Sequence, residues 1–300
     1  MSVLADQTTR ILVQGITGRE AATFTQESLA YGAQIVAGVT PGKGGGAVYG
    51  VPVYDTVTQA VAAHPCDAAI ISTPARFVLD AALETLAQAI PLLVILTERI
   101  PRRDVVLLLE RAAQVGTRVI GPNSLGVISP GLTRVGMAGG AAVWRAYQAG
   151  SVGVISRSGG MMTEIANMLT LAGLGQSTCV SIGGDPIVGS TALDLLPLYE
   201  ADPATQALVI YAEPGGNAEE RLAEHLLRHP SRLPIIAFIA GRFADQMQGV
   251  RFGHAGSIVQ GKAGSPAAKA EALRAAGVLV AERLSEVPRL VQQALAIGTL

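Results

Sequence analysis

Short β-branched and aliphatic runs alternate with helix-spaced stretches twice along this chain, and a glycine-rich interval separates the two series. The first series places strands at 10–14, 34–39, 68–72, 92–96 and 118–120, with helical spacing over 20–31, 56–63, 77–87 and 103–114. The second places strands at 151–155, 177–182, 207–211, 234–239 and 278–281, and helices over 161–174, 192–199, 218–229, 266–276 and 284–296. Such alternation demands right-handed crossovers and a parallel sheet covered on both faces. Between the series, the stretch from Gly121 to Gly150 is glycine-rich and loses periodicity, as a linker would. The expectation is two doubly wound α/β domains, 1–125 and 150–300, joined by a linker at 126–149. Ligand chemistry is expected at the carboxyl ends of the strands.

Composition agrees with buried parallel sheets. Of 300 residues, 49% are apolar, 15% charged and only 4% aromatic, so the core is built of Val, Ile, Leu and Ala. A net charge of −1 gives no support to a nucleic-acid or membrane-surface partner. Two cysteines, Cys66 and Cys179, make neither a disulfide framework nor a metal set, and point to a reduced, cytoplasmic setting. No apolar run is long enough to span a bilayer, and no basic-then-apolar leader opens the sequence.

In the first series, strand 10–14 runs into Gly15-Ile-Thr-Gly18 and then a helix. A glycine turn at that junction brings backbone N–H groups and a helix N-terminus to a phosphate. The motif lacks the full G-x-G-x-x-G, so a plain tight turn explains it equally well. After strand 34–39, where an NAD enzyme needs an acidic residue for the ribose hydroxyls, the chain has Val39-Thr-Pro-Gly-Lys-Gly-Gly-Gly46. Lys43 on this loop suits a phosphorylated ribose, either NADP or the 3′-phosphate of coenzyme A; the bland alternative is a solvated loop lysine.

In the second series, strand 151–155 ends in Ser156-Arg-Ser-Gly-Gly160 before a helix, an anion seat in which Ser158 is at the least an N-cap. Glycine is missing where a hydrolase elbow requires it. Strand 207–211 delivers Glu213, followed by Pro214-Gly-Gly216. The run Gly253-His-Ala-Gly256 leaves the imidazole of His254 unshielded, whereas His225 and His229 fall on a helix end and His64 precedes Pro65. A carboxylate at a strand end can fix a histidine's tautomer, so Glu213, His254 and the anion seat suggest a phosphoryl-accepting histidine. Gly256-Ser-Ile-Val-Gln-Gly-Lys-Ala263 approaches a P-loop but has Ala263 where Ser or Thr must hold magnesium, so an ATP step needs another chain or another domain.

Six motifs in order, Gly15-Ile-Thr-Gly18, Val39-Thr-Pro-Gly-Lys-Gly44, Gly121-Pro-Asn123, Ser156-Arg-Ser-Gly159, Ile182-Gly-Gly-Asp-Pro186 and Gly253-His-Ala-Gly256, resemble those of succinyl-CoA synthetase α subunits across essentially the whole chain. The resemblance implies an N-terminal Rossmann-like CoA-binding domain and a flavodoxin-like ligase domain. It implies CoA contacts from Thr17, Gly18, Arg19, Glu20, Lys43, Leu96, Thr97 and Glu98. It implies a phosphorylated His254 supported by Glu213, with phosphate or substrate bound by Ser156, Ser158, Gly159, Gly160, Thr163 and Asn123. No metal site is expected on this chain. The partner implied is a β subunit with an ATP-grasp domain, holding ATP or GTP with magnesium, and the product an acyl-CoA made from a di- or tricarboxylic acid.

Departures from the succinate-type pattern bear on the acid. Those subunits read Ser-Gly-Thr followed by tyrosine, where this chain has Gly160 and Thr163; Gly121-Pro-Asn-Ser-Leu-Gly126 and the loop 241–252 also differ. Ser-Gly-Gly-Met and Phe-Gly-His-Ala-Gly look more like ATP-citrate lyase and citryl-CoA synthetases, so a citryl-CoA or malyl-CoA synthetase subunit is the alternative within the family. Two other classes compete: a non-catalytic CoA-sensing paralogue, which would be expected to lose His254 or Glu213, and an NADP oxidoreductase, which leaves Gly253–Gly256 unexplained.

Overall fold

A computed structural model of the chain describes residues 2–241 and 264–297. The first unit runs β1 (Arg10–Gln14), α1 (Arg19–Ala30), β2 (Gln34–Val39), β3 (Ala47–Val48), β4 (Val51–Tyr54), α2 (Val57–Ala63), β5 (Ala68–Ile71), α3 (Val78–Ala87), β6 (Leu92–Ile95), α4 (Arg102–Val115) and β7 (Arg118–Ile120). Its seven strands lie in the order β3-β4-β2-β1-β5-β6-β7, parallel except for the short β3–β4 hairpin. Strand order reverses between β1 and β5, which places a ligand crevice beyond their carboxyl ends.

The second unit runs β8 (Gly126–Ser129), β9 (Thr133–Gly136), α5 (Val143–Ala146), β10 (Ala149–Ser156), α6 (Gly159–Leu171), β11 (Gln176–Ser181), α7 (Ala192–Ala201), β12 (Ala207–Ala212), α8 (Ala218–Arg228), β13 (Ile235–Ile239), α9 (Pro266–Ala275), β14 (Leu279–Val280) and α10 (Val287–Ile297). Its order is β14-β13-β12-β10-β11-β8-β9. The five parallel strands follow the flavodoxin sequence, with the switch point between β10 and β12. The central strands are buried along their length, so each reads as a continuous apolar run without alternation.

The stretch 126–149, expected as a linker, instead holds β8, β9 and α5. β8 pairs antiparallel with β11, and β9 with β8, so these residues form the edge of the second sheet. Gly126 and Gly136 face each other in that hairpin, where a Cβ on Gly126 would lie 2.0 Å from the Val135 carbonyl oxygen. The glycines that look like linker composition are there because two backbones meet. Arg134 on β9, fully buried, donates to Ser28 Oγ (2.9 Å) and to the Glu27 carboxylate (3.2 Å) on α1, tying the hairpin to the first unit.

Candidate active site

The turn after β1 is shaped by close approach. Gly15 has φ +80°, and a Cβ there would fall 2.5 Å from the Ser72 carbonyl oxygen at the end of β5. Only glycine lets the β1 turn lie this tightly against β5. Gly15 N–H donates to Val39 O and Gly18 N–H to Gly15 O, which delivers the chain into α1 with no side chain capping the helix. The N-terminus of α1 therefore presents unspent backbone donors to a ligand. Glu20 stands in that first turn, so the anion must be held by the backbone donors against a nearby carboxylate.

Two cavities meet here, each of a size suited to a large cofactor. One of about 740 Å³ is lined by Gln14, Gly15 and Thr17, by Val39 to Pro41, and by Phe77, Asp80 and Glu84. The other, of about 670 Å³, runs between the units; both share Gly18, Ser72, Thr73 and Pro74. The second cavity takes Arg19, Glu20, Leu96, Thr97 and Glu98 from the first unit, and Asn123, Leu125, Met137, Ser158, Gly159 and Gly160 from the second. The N-termini of α1 and α6 thus open on the same space. Thr97 Oγ1 donates to Thr73 O (2.7 Å), while Thr73 Oγ1 is buried without a partner among the described residues. That orphan hydroxyl and the glycine-floored turn fit a polar ligand running between the cavities.

Of the residues expected at the CoA site, Thr17, Gly18, Arg19, Glu20, Leu96, Thr97 and Glu98 all line one cavity or the other. Lys43 lines neither. Its loop is pinned by Lys43 N–H to Thr40 O (3.0 Å) and by Gly44 N–H to Asp55 Oδ1 (2.9 Å), and the lysine is exposed three residues after Thr40, which lines the outer cavity.

At α6, Ser158 accepts from Met161 N–H (3.4 Å) as the N-cap, and Gly159 and Gly160 lie against the cavity. A Cβ on Gly159 would sit 2.2 Å from Leu125 Cγ, whereas one on Gly160 would meet nothing within 4 Å. Two residues of the expected phosphate set lie outside the lining. Ser156 is buried, its hydroxyl donating to Ser158 O (2.6 Å) and accepting from Ser158 N–H (3.2 Å), so it shapes the turn. Thr163 shares a hydrogen bond with Tyr147 (2.9 Å) on the far side of the helix turn. Asn123, at φ +58°, donates to Asp185 Oδ1 (3.0 Å), and Asp185 O accepts from Arg157 (3.1 Å). Three of the sequence motifs are thereby joined in one network.

Glu213 follows β12 at the switch point, where Arg157 N–H donates to Tyr211 O (3.2 Å). Burial, and then the adjacent Glu213 charge, push the Tyr211 phenol well above its ordinary range. His254, Gly253–Gly256 and the near P-loop at 256–263 lie outside the described residues. The chain on either side of 242–263 is described, and both ends rest on the turn after Glu213. A Cβ on Gly241 would lie 2.6 Å from Pro214 Cγ, and Gly264 O accepts from Gly215 N–H (2.8 Å). His64 and His225 are half-buried and His229 exposed, and none lines either cavity.

Sequence reasoning passed over Ser72-Thr-Pro74, Leu125 and Met137. Ser72 and Thr73 could have been found: they are hydroxyl residues at the carboxyl end of β5, the strand beside β1. Leu125 and Met137 gave no signal: Met137 sits in the stretch taken for a linker and Leu125 at its boundary. Among the described residues, no group of three or more His, Cys, Asp or Glu is placed to hold a metal, and no helix is long and apolar enough to cross a membrane.

The chain joins a Rossmann-like unit to a flavodoxin-like unit, with the N-termini of α1 and α6 on one cavity. Residues 6–99 match the family model described as CoA binding domain, and 149–294 that of the succinyl-CoA ligase like flavodoxin domain. The chain is 45% identical over 295 residues to an ADP-forming succinate–CoA ligase subunit alpha of Archaeoglobus fulgidus, covering 98% of this chain and 99% of that one. It is 40% identical to an ADP-forming sulfoacetate-CoA ligase subunit of Bilophila wadsworthia, over 97% and 99% of the two chains. An ATP citrate lyase structure from Methanothrix soehngenii, with citrate and coenzyme A, superposes with a TM-score of 0.92 at 26% identity, over 99% of this chain and 51% of that one. The chain therefore spans about half of that lyase chain. It belongs to the succinate–CoA ligase α-subunit family.

Proposed function

We propose that this chain is the α subunit of a nucleotide-dependent acid–CoA ligase and acts with a separate β subunit carrying an ATP-grasp site for ATP or GTP with magnesium. The observation that carries the reading is the pair of helix N-termini, α1 and α6, opening on one cavity continuous with the β1–β5 crevice. Two anion-seeking ends on one channel suit a ligand with phosphates at one end, meeting an anionic reaction partner at the other. CoA would bind along Gly15–Gly18, with Thr17, Thr97 and the Thr73 hydroxyl beside it and Lys43 toward its ribose 3′-phosphate.

The chemistry assigned to the second unit is phosphoryl relay. An imidazole nitrogen of His254 attacks the γ-phosphorus of the partner-bound nucleotide, and the nucleoside diphosphate leaves. The carboxylate substrate then attacks the phosphohistidine, forming an acyl phosphate and freeing the imidazole. The CoA thiolate attacks the acyl carbon, and inorganic phosphate leaves with the P–O bonds intact. Splitting the displacement in this way replaces one difficult step by easier ones. Glu213 would fix the tautomer of His254, and the N-terminus of α6 would hold the migrating phosphoryl group over Ser158–Gly160.

A second reading concerns the acid. Gly160 opens onto empty space at the α6 N-terminus, which favours an acid bulkier or more substituted than succinate, such as citrate or a hydroxy- or methyl-substituted dicarboxylate. Thr163, which faces Tyr147, lends this argument no support. The test is purification with the partner subunit, followed by ATP- and CoA-dependent phosphate release with succinate, malate, itaconate, sulfoacetate and citrate. Stabilisation by NADP but not by CoA in thermal shift would favour the oxidoreductase class, and CoA binding without ligation of any acid a sensing role.

A further inference from the structure

We propose that Lys269 is a positioning residue for Glu213, acting through the backbone of the turn that follows it; the proposal rests on the relay reading above. Gly215 and Gly216 have φ +92° and +63°, so the turn carries no side chain with which to hold itself in place. It is held from outside. Lys269, on the first turns of α9, is 1% exposed, and its ammonium donates to Gly215 O at 2.6 Å. The same ammonium pairs with the carboxylate of Glu219, itself buried in the first turn of α8. From the other side Gly264 O accepts from Gly215 N–H (2.8 Å), and Gly264 N–H donates to Glu220 Oε1 (3.2 Å). Both peptide faces of Gly215 are therefore engaged two residues after Glu213.

A buried lysine is a costly way to hold a fold together. Taking two charges out of water is unfavourable, and an apolar pair of similar volume often serves stability as well or better. What an apolar pair cannot do is donate a hydrogen bond to Gly215 O. That carbonyl lies two residues after Glu213, whose carboxylate also shares a hydrogen bond with Tyr211, and displacements of about 1 Å in a reacting constellation cost on the order of 100-fold in rate. Neither Lys269 nor its partners Gly215 and Glu219 line the two cavities described above, so its influence should fall on relay and not on CoA binding.

The test uses the full chain assembled with its β subunit, and activity is normalised to the number of CoA-binding sites so that unfolded protein does not count. Lys269→Met with Glu219→Met removes the charges and the donor together. We expect a melting temperature near that of wild type, unchanged CoA affinity and a fall in kcat of about 100-fold. Adding Glu213→Gln to this variant should give little further loss, because both changes act through one carboxylate. If the double variant does not assemble, single Lys269→Met under the same normalisation carries the test. Activity within a few-fold of wild type, or losses that multiply with Glu213→Gln, would overturn the proposal. The underlying relay is checked separately: wild type must take up acid-labile phosphate from ATP and His254→Asn must not. Failure there removes the relay reading whatever Lys269 does.

Discussion

Adjacent glycines at the start of α6 should respond in opposite ways to the same substitution. In Gly159→Ala the new methyl carbon would lie 2.2 Å from Leu125 Cγ and 2.7 Å from its Cδ1, so Leu125 must move or the helix must shift. Overpacking of that kind costs about 1–3 kcal/mol, against which alanine returns about 0.5–1 kcal/mol of helix propensity. The net is a destabilisation of about 0–2.5 kcal/mol. In Gly160→Ala the methyl meets nothing within 4 Å, so only the propensity gain of about 0.5–1 kcal/mol remains. The propensity gain is common to both, so at about 2–4 °C per kcal/mol for domains of this size the overpacking cost alone should set them roughly 2–12 °C apart in melting temperature. Differential scanning calorimetry with urea titrations on the same preparations would measure this. Function should divide the other way. Gly160→Ala places its methyl in the cavity and should lower kcat/KM for the largest acid accepted, with CoA affinity unchanged, while Gly159→Ala should weaken both through Leu125. A Gly160→Ala variant as unstable as Gly159→Ala would show that the N-terminus of α6 is not open, and the steric argument about the acid would fall with it.

Lys43→Ala should weaken CoA more than dephospho-CoA by calorimetry; equal losses would show that Lys43 does not read the 3′-phosphate. Incubation with ATP, magnesium and the β subunit should give an acid-labile, base-stable label that is absent in His254→Asn, and full ligation by that variant would remove the covalent route. Arg134→Met strips the donors from buried Ser28 Oγ, Ala138 O and Gly140 O and leaves Glu27 without its cation, at a cost of about 3–5 kcal/mol seen as a lowered urea midpoint. A midpoint within about 1 kcal/mol of wild type would mean that the β9–α1 clamp is dispensable.

Both sheets were legible because each parallel strand is a short apolar run ending in a glycine or hydroxyl turn, and the observed β1, β2 and β7 have the bounds expected from sequence. The two antiparallel hairpins were not legible. β3 has two residues and β4 contains Pro52, so neither resembles a strand. β8 and β9 are buried throughout and bounded by Gly126 and Gly136, so alternation is lost and glycine reads as linker. Arg134 compounds this, because an arginine in a short glycine-flanked run suggests solvent, whereas here it is enclosed by α1 and its own hairpin. At the site, the turns after β1 and β10 could be read from glycine and hydroxyl patterns, whereas Leu96–Glu98 after β6 came only through the family resemblance. Lys269 could not: on sequence alone it is one more lysine on an alanine-rich helix, and only the fold brings it to Gly215.

The division between the two units follows from where their switch points face. Each doubly wound sheet offers one crevice, and on the proposed function a single sheet would have to serve the CoA phosphates and the phosphoryl relay with the same helix N-terminus. Here the N-termini of α1 and α6 open on one cavity, while Glu213, after β12, lines neither described cavity. The Asn123–Asp185–Arg157 network sits where the chain passes from one unit to the other, linking the end of the first sheet to the turn before α6. On the proposed mechanism, a thiol arriving from the first crevice and an acyl group activated beside α6 would meet without either ligand leaving its anion seat. That arrangement explains why the edge hairpin β8–β9 is sewn to α1 through a buried arginine. Any play between the units would alter the distance between the two helix N-termini, and with it the distance the thiol must cross.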